Sequence, residues 1–385
     1  MAGMLFGHEG IESLRRELLR NRELLQVCGF DPLRGIEAVP PAWVYSRFMR
    51  RLLRHSELVQ RIFDRLVEEV TKELPDFGEY VAADSKAIWT YARGRRKPEE
   101  SADPEADWGC KTYREEKEDG SVYERIKSWF GYKIHLVVDS VYELPVAFTV
   151  TRASANDGPQ LGELMKGIER RHPELIERMR YAAMDKGYDS AENNASVCDE
   201  YGAVPLIPVR RMWREEEGVG VGCGLRQVWP ERSDNILYDE TGTVSCMCPS
   251  TGTIRQMVFW GYEAKRCSLK YRCPAAAYGI ECAGKMECCK GDYGRVVRIP
   301  LERDRRIFVA LPRHTAKFKR EYKRRTAVER VNSRIALQLG FERHFIRGKK
   351  KMQLKGAMAL SVMLAMALGY IRENQSEKMR CLRAA

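Results

Sequence analysis

Tyr132-Lys-Ile-His-Leu-Val-Val-Asp139 and, just beyond it, Leu144-Pro-Val-Ala-Phe-Thr-Val-Thr151 read as the two strands of a hairpin, with Asp139 opening the turn. Upstream, Tyr80-Val-Ala-Ala-Asp84 is a short apolar run that ends in an acid. Residues 92–120 between them are polar and charged, with Arg93, Arg95, Arg96 and Lys97 ahead of an acidic patch, and read as a loop. Downstream, Asn156-Asp157-Gly158-Pro159 starts a helix that runs to about His172. Arg180-Tyr-Ala-Ala-Met-Asp185 is a fourth strand, again ending in an acid; Ser190–Tyr201 is a helix and Val204–Val209 a fifth strand. The stretch 211–300 breaks this rhythm with glycine, cysteine and charge. Arg306–Leu311 then reads as a strand and Thr315–Leu339 as a long helix. The order implies an α/β domain built on a mixed sheet.

Further out, apolar residues recur at helical spacing in Ile11–Leu25 and Tyr45–Leu74. The segment Ser46–His55 is basic on one side, either to dock on phosphates or to solvate an exposed face. Ala357–Tyr370 is apolar but too short for an ordinary membrane span and reads as a buried helix. The expected boundaries are 1–76 (helical), 77–210 (first part of the α/β domain), 211–303 (cysteine-rich stretch), 304–375 (last part of the α/β domain) and 376–385 (tail).

The chain has 385 residues, of which 44% are hydrophobic and 9% aromatic, so it can build ordinary cores and is not disordered throughout. Its net charge of +12 points to a polyanion partner, nucleic acid first. Met1–Gly10 shows no secretory signal, and a cytoplasmic protein with reduced thiols and no membrane association is expected.

Three acids carry the candidate chemistry. Asp84 and Asp185 close apolar strands, where an unpaired charge is expensive and a hard cation such as Mg²⁺ relieves it. Glu329 lies in Tyr322-Lys-Arg-Arg325-Thr-Ala-Val-Glu329. On one continuous helix Tyr322, Arg325 and Glu329 would share a sector of roughly 60°. That face would hold a metal through Glu329 and grip phosphate and sugar through Arg325 and Tyr322. Tyr322 alone also reads as a core contact. The basic residues Lys323, Arg324 and Arg330 add candidate DNA contacts. Asp139 reads as a turn residue, Asp189 as a helix N-cap, Asp157 as a loop or cap residue, and His135 as a satisfied core histidine.

Taken together, Val81-Ala-Ala-Asp84-Ser-Lys86, Gly131–Asp139, Ala155-Asn-Asp-Gly-Pro159, Met184-Asp185-Lys-Gly-Tyr188-Asp189 and the tyrosine–arginine–glutamate segment resemble the DDE transposases of bacterial insertion sequences. Leu24–Phe30 and Tyr45-Ser-Arg-Phe48 are similar to the helical leader of that group, and the resemblance spans roughly residues 10–372. It implies a ribonuclease H-like mixed five-stranded sheet with flanking helices, a cysteine-rich insertion before the last catalytic helix, and an all-α N-terminal domain. It further implies that Asp84, Asp185 and Glu329 together bind two Mg²⁺, with Mn²⁺ as a substitute. Water would first cut the element end, and the freed 3′-hydroxyl would then attack target DNA. The partners implied are double-stranded DNA, both element ends and target, and a second copy of the chain when two ends are synapsed. In one place the sequence departs from the full signature: a lysine is expected seven residues after the glutamate, and Ala336 stands there. Arg334 or Lys349 to Lys351 are the candidates to replace it.

Two readings compete with an active transposase: a DNA-binding protein of the same fold with a decayed or domesticated core, and a stand-alone nuclease. Seven of the twelve cysteines fall between Cys246 and Cys289. They read either as a structural Zn²⁺ site on Cys246, Cys248, Cys267 and Cys273 or as free thiols.

Overall fold

The computed structural model describes residues 1–116, 122–213, 224–232, 234–289 and 291–382. Parts of the expected 92–120 loop, the 211–303 insertion and the C-terminal tail lie outside the described residues. The chain forms two compact units: Met1–Arg178 with Thr326–Ala385, and Met179–Arg325. The class is α/β, with helices flanking strands in both antiparallel and parallel pairings.

The first unit opens with α1 (Ala2–Leu5), α2 (Ile11–Arg20), α3 (Arg22–Val27), α4 (Ala42–Arg54) and α5 (Ser56–Glu73). The Asn21 side chain caps α3 by accepting from Leu24 N–H. Leu18, Leu24, Leu25, Ala38 and Val39 form a small local core. Helix α4 buries none of its residues, whereas α5 buries Val59, Phe63, Val67 and Val70 at helical spacing.

Strands β1 (Tyr80–Trp89), β2 (Asp107–Glu116), β3 (Val122–Asp139) and β4 (Leu144–Arg152) follow. The second half of β3 pairs antiparallel with both β1 and β4, and its first half with β2. Gly131 marks the changeover, facing Trp89 in one register and Asp107 in the other. Its φ is 156°, and a Cβ there would stand 2.2 Å from the Ile88 carbonyl, so only glycine fits. The expected hairpin is present. Asp139 is fully buried at its turn and accepts from Gly78, Val141 and Tyr142 N–H. Burial pushes the Asp139 carboxyl up to about 6 against those three donors. Two expectations change here. Strand β1 runs on past Asp84 to Trp89, and the expected 92–120 loop contains β2, which pairing with β3 holds in place. Helices α6 (Gly158–Arg171) and α7 (Pro173–Arg178) complete this stretch, α6 packing on β3 and β4 through Leu161, Leu164, Met165 and Ile168.

The second unit begins with β5 (Tyr181–Met184), α8 (Ala191–Ala195) and β6 (Val204–Leu206), shorter than expected, with β5 and β6 parallel. The cysteine-rich stretch folds as two small antiparallel sheets. One comprises β7 (Leu225–Gln227), β8 (Ile236–Asp239), β9 (Val244–Met247) and β10 (Ile254–Gln256). The other comprises β11 (Val258–Glu263), β12 (Ser268–Arg272) and β13 (Val296–Pro300), with α9 (Pro274–Tyr278) and α10 (Lys285–Cys288) between β12 and β13. Their shared core includes Trp229, Ile236, Tyr271, Ile299 and Phe308. Residues 306–311 are not a strand. Ile307 and Phe308 are buried there by a turn in which Asp304 accepts from the backbone of Arg306, Ile307 and Phe308. The turn pairs those N–H groups, so the apolar run needs no ladder. The unit ends in α11 (Ala316–Tyr322), capped by the Thr315 hydroxyl.

The chain then re-enters the first unit through α12 (Thr326–Leu337) and α13 (Lys349–Arg372). Helix α12 packs on β1 and β3, and α13 on α5 and β4. By length and composition α13 could cross a membrane, but 61% of its apolar window is buried in the protein, as in a core helix. A Cβ on Gly356 would stand 3.0 Å from the Phe148 ring, so α13 lies close against β4.

Candidate functional site

In the first unit, Asp84 is half-buried on β1, and its Oδ1 accepts from the Ser85 N–H at 2.8 Å. Glu329 projects from α12 as an exposed side chain into a cleft of about 690 Å³. Helix α12 contributes Glu329, Asn332, Ser333 and Ala336 to one wall, at the i, i+3, i+4, i+7 spacing of a single helix face. Strands supply the other: Ser85, Lys86 and Trp89 from β1, Lys111 from β2, Lys127 and Trp129 from β3. Lys111 and Lys127 are direct cross-strand partners, as are Gly109 and Trp129 two residues away, so all lie on one face of the β2–β3 ribbon.

A polar network lies beside Asp84. Ser85 Oγ donates to Asp157 Oδ2 at 2.8 Å, and Lys133 Nζ donates to Asp157 Oδ1 at 2.9 Å. Asp157 therefore spends its carboxylate on the sheet rather than on capping α6. His135 is fully buried, with Nε2 2.8 Å from Thr151 Oγ1 and Nδ1 4.0 Å from Asp157 Oδ1. Burial holds the imidazole down at about 4; Asp157 opposes this, and Lys133 and Lys111 reinforce it. His135 is thus a neutral core histidine, but not the fully satisfied one its sequence setting implied, because Nδ1 is buried without a hydrogen-bond partner.

In the second unit, Asp185 directly follows β5 and caps a short 3₁₀ turn, Oδ1 accepting from Gly187 N–H at 2.8 Å. Asp189 is not the helix N-cap it resembled; Ser190 fills that role by accepting from Asn193 N–H. Asp189 is instead a buried hub. It takes Arg306 Nε at 2.9 Å, Arg313 Nη2 at 3.3 Å and Arg210 N–H at 2.9 Å. Desolvation pulls the Arg313 guanidinium down to about 10, with Asp189 opposing it. Tyr322 stacks on Phe318 at 5.8 Å between ring centroids, and the Arg325 guanidinium lies 6.0 Å from the Tyr322 ring. Lys323 and Arg324 are exposed, and Arg324 pairs with Glu321 at 3.3 Å.

The single long helix expected across residues 315–339 is broken. A 3₁₀ turn at Lys323–Arg325 separates α11 from α12, so the 100° step that aligned Tyr322, Arg325 and Glu329 does not run through them. Arg330 is already engaged within the chain, its Nε donating to Glu143 at 2.6 Å and its Nη1 to Thr326 at 3.0 Å, while about half of the side chain remains exposed. Arg334 cannot stand in for the lysine missing at Ala336, because it is buried and donates to the Glu143 carboxylate at 3.0 Å. Lys349, Lys350 and Lys351 are exposed at the start of α13.

The expected zinc set is not brought together. Cys246, Cys248 and Cys273 line one small cavity of about 30 Å³ with Cys282, Cys288 and Cys289. Cys267 lies outside it, exposed in a left-handed turn and interacting with Tyr262. Burial, followed by the neighbouring sulfurs, pushes the Cys246 thiol up to about 11, which opposes thiolate formation there. The described cysteines are all free. Among the described residues, no three His, Cys, Asp or Glu side chains are grouped so as to hold a metal ion. The carboxylates suit a hard divalent cation in donor chemistry but do not form a finished cage.

Sequence reasoning missed Lys86, Lys111, Lys127 and Trp89. They lie far apart in the chain, and only the pairing of β2 with β3, itself unforeseen, brings two of the lysines opposite each other.

Comparison with known proteins adds three findings. The family described as transposase DDE domain matches residues 97–365, a span that includes Asp185, Tyr322, Arg325 and Glu329 but begins after Asp84. No curated protein matches significantly. Among solved structures, a chain of the piggyBac transposase synaptic complex with hairpin DNA is similar at 13% identity and a TM-score of 0.30, over 79% of this chain. The match covers 51% of that chain, so this one spans about half its length.

Proposed function

The chain belongs to the transposase DDE-domain family, and on that premise we propose that it cuts the ends of a DNA element and joins the freed 3′-hydroxyl to target DNA. The observation that carries the proposal is the cleft of the first unit. Glu329 stands exposed on α12, and α12 packs on β1, the strand that bears Asp84. Asp84, Asp185 and Glu329 are the carboxylates assigned to a divalent metal ion, Mg²⁺ or Mn²⁺. When bound, such an ion supplies positive charge at the phosphate under attack.

The chain's own residues do the rest. The Ser85 N–H fixes one oxygen of Asp84, and the Gly187 N–H fixes one of Asp185, so both carboxylates are oriented before any ligand arrives. Tyr322 at the end of α11 and Arg325 at the end of the short turn before α12 lie against each other and are assigned to the DNA backbone. The partner is double-stranded DNA, and two copies of the chain synapse two ends in the cytoplasm.

A second reading, a DNA-binding protein of this family without catalysis, is favoured by Ala336 and by the lack of a grouped metal cage among the described residues. Joining of a labelled element end to a target plasmid decides between them. The wild type is expected to join in Mg²⁺. Because Glu329 is exposed, Glu329→Gln is expected to leave the melting temperature unchanged while joining falls at least ~100-fold, the scale of losing a group used in the transition state. Joining retained by Glu329→Gln would overturn the assignment, and binding without cutting or joining by the wild type would establish the second reading.

A further inference from the structure

The strand side of the cleft carries features that the carboxylate chemistry does not use. Lys86, Lys111 and Lys127 converge there from three strands. Like charges placed directly opposite on neighbouring strands are destabilising, and Lys111 and Lys127 are such a pair. Among the described residues none of the three ammonium groups is in an ion pair; the largest opposing influence on Lys86 is Glu342, which also lines the cleft. Desolvation lowers the Lys86 ammonium, and Lys111 and Lys127 push the same way, against Glu342 and Asp84. A cluster that repels itself and has no ion-pair partner among the described residues is suited to an anion.

Two further groups give the anion a context. Trp89 is 50% exposed on the same wall, and no aromatic ring of the described residues stacks on it. Trp129, by contrast, is buried with its Nε1 donating to the Tyr132 carbonyl, so it forms a fixed floor. On the helix side, Asn332 is 8% exposed and its Oδ1 is buried without a hydrogen-bond partner. A buried amide left unpaired is costly, and its placement in the cleft wall fits an incoming donor such as a base edge. A space of about 690 Å³ is that of a pocket for a small molecule or one or two nucleotides, and a duplex of ordinary width does not enter it.

We propose that this cleft binds an unpaired stretch of DNA, with backbone phosphate on Lys86, Lys111 and Lys127, a base stacked on Trp89, and Asn332 bonding that base's edge. The proposal rests on the reading of the chain as a DNA-processing enzyme and says which form of DNA meets the Glu329 side of the site. Ala336 contributes by being small: it leaves the room between helix and strands that the nucleotide occupies. The positive charge on this wall comes from the sheet, not from α12.

The test is binding of a short fluorescent oligothymidine to the full chain without divalent metal, with a blunt duplex of equal length in parallel. Trp89→Ala is expected to weaken oligothymidine binding about ten-fold, the effect of losing one stacked base. The triple variant Lys86→Ala/Lys111→Ala/Lys127→Ala is expected to reduce the log–log salt slope by about 2, at ~0.7 per phosphate contact on a single strand. Lys→Arg at the same three positions should restore the slope, which separates loss of charge from damage to the fold. Duplex binding should respond far less to either change. An unchanged affinity in Trp89→Ala together with an unchanged slope in the triple variant overturns the proposal, as does an equal loss for duplex. Joining activity is not part of this readout. A chain that binds oligothymidine as described yet never joins DNA would sink the transposase reading alone.

Discussion

Replacing Asp189 with alanine should unfold the second unit more readily than any other single carboxylate change in it. The Asp189 side chain is fully buried and receives two guanidinium groups, from Arg306 at 2.9 Å and Arg313 at 3.3 Å. Their situations differ. Arg306 also lies 3.7 Å from Glu240, so it keeps an acid when Asp189 is lost. Arg313 is 5% exposed at the side chain and keeps only the Ile207 and Ile307 carbonyls. The variant therefore leaves one buried cation without a direct ion-pair partner, only the more distant charge of Asp304 acting on it, a situation that costs about 3–5 kcal/mol. With a urea dependence of about 2 kcal/mol per molar, the midpoint should fall by roughly 1.5–2.5 M. Hydrogen exchange across a urea series, read on peptides from residues 179–325, isolates this unit. Removing the stranded charge should repair the damage: Asp189→Leu combined with Arg313→Met is expected to recover at least about half the loss, since an apolar pair of similar volume tolerates the site better than a lone ion. A loss below about 1 kcal/mol in Asp189→Ala, or a double variant no better than the single one, would refute the reasoning.

Two other outcomes can be checked directly. His135 has a folded pKa of about 4, below the ordinary 6.5, so its contribution is present above pH 6.5 and is lost as pH falls toward 4, about 3 kcal/mol in all. His135→Gln should start less stable at pH 8 and lose less between pH 7 and 4.5; Asp139, with its pKa raised to about 6, drives an opposite trend in both proteins and cancels in the comparison. Parallel pH slopes of urea midpoints would contradict this. Gly109→Ala would place a Cβ 2.5 Å from the Trp129 ring, so it should lower stability by about 1–3 kcal/mol and shift the near-ultraviolet dichroism of that buried indole. An unshifted spectrum with unchanged stability would show that the floor of the cleft yields freely.

The parts of the fold legible in the sequence are those with a strong local signal. Tyr132–Asp139 and Leu144–Thr151 alternate into a buried pair around an aspartate turn, and α5 and α6 repeat apolar residues at helical spacing. The first half of β3 and its partner β2 carry no such signal. Residues 123–128 are exposed and mostly polar, and the ladder between the strands, not burial, makes them extended. The run Ile307–Leu311 has the opposite problem: it is as apolar as a strand and equally buried, but a side-chain-capped turn satisfies its backbone. Asp189 looked like a cap because a helix follows it, and its two guanidinium partners, Arg306 and Arg313, lie more than a hundred positions away, beyond any local pattern. Glu329, which lines the cleft, was singled out through its neighbours Tyr322 and Arg325, although the helix assumed to join them is interrupted. The lysines facing it had no comparable local signal.

The placement of α13 has a consequence for synthesis. Unit one is split in sequence, and the 24-residue helix at its end fills the space against α5 and β4. A nascent polypeptide that has already emerged as far as Arg178 must wait for nearly two hundred further residues before that space is filled, roughly 10–40 s at ordinary elongation rates. During that interval β4 and α5 expose the surfaces that α13 will cover, while Glu329 has yet to leave the ribosome for most of it. A prematurely terminated product that stops short of residue 349 thus lacks the helix that completes the core of the first unit.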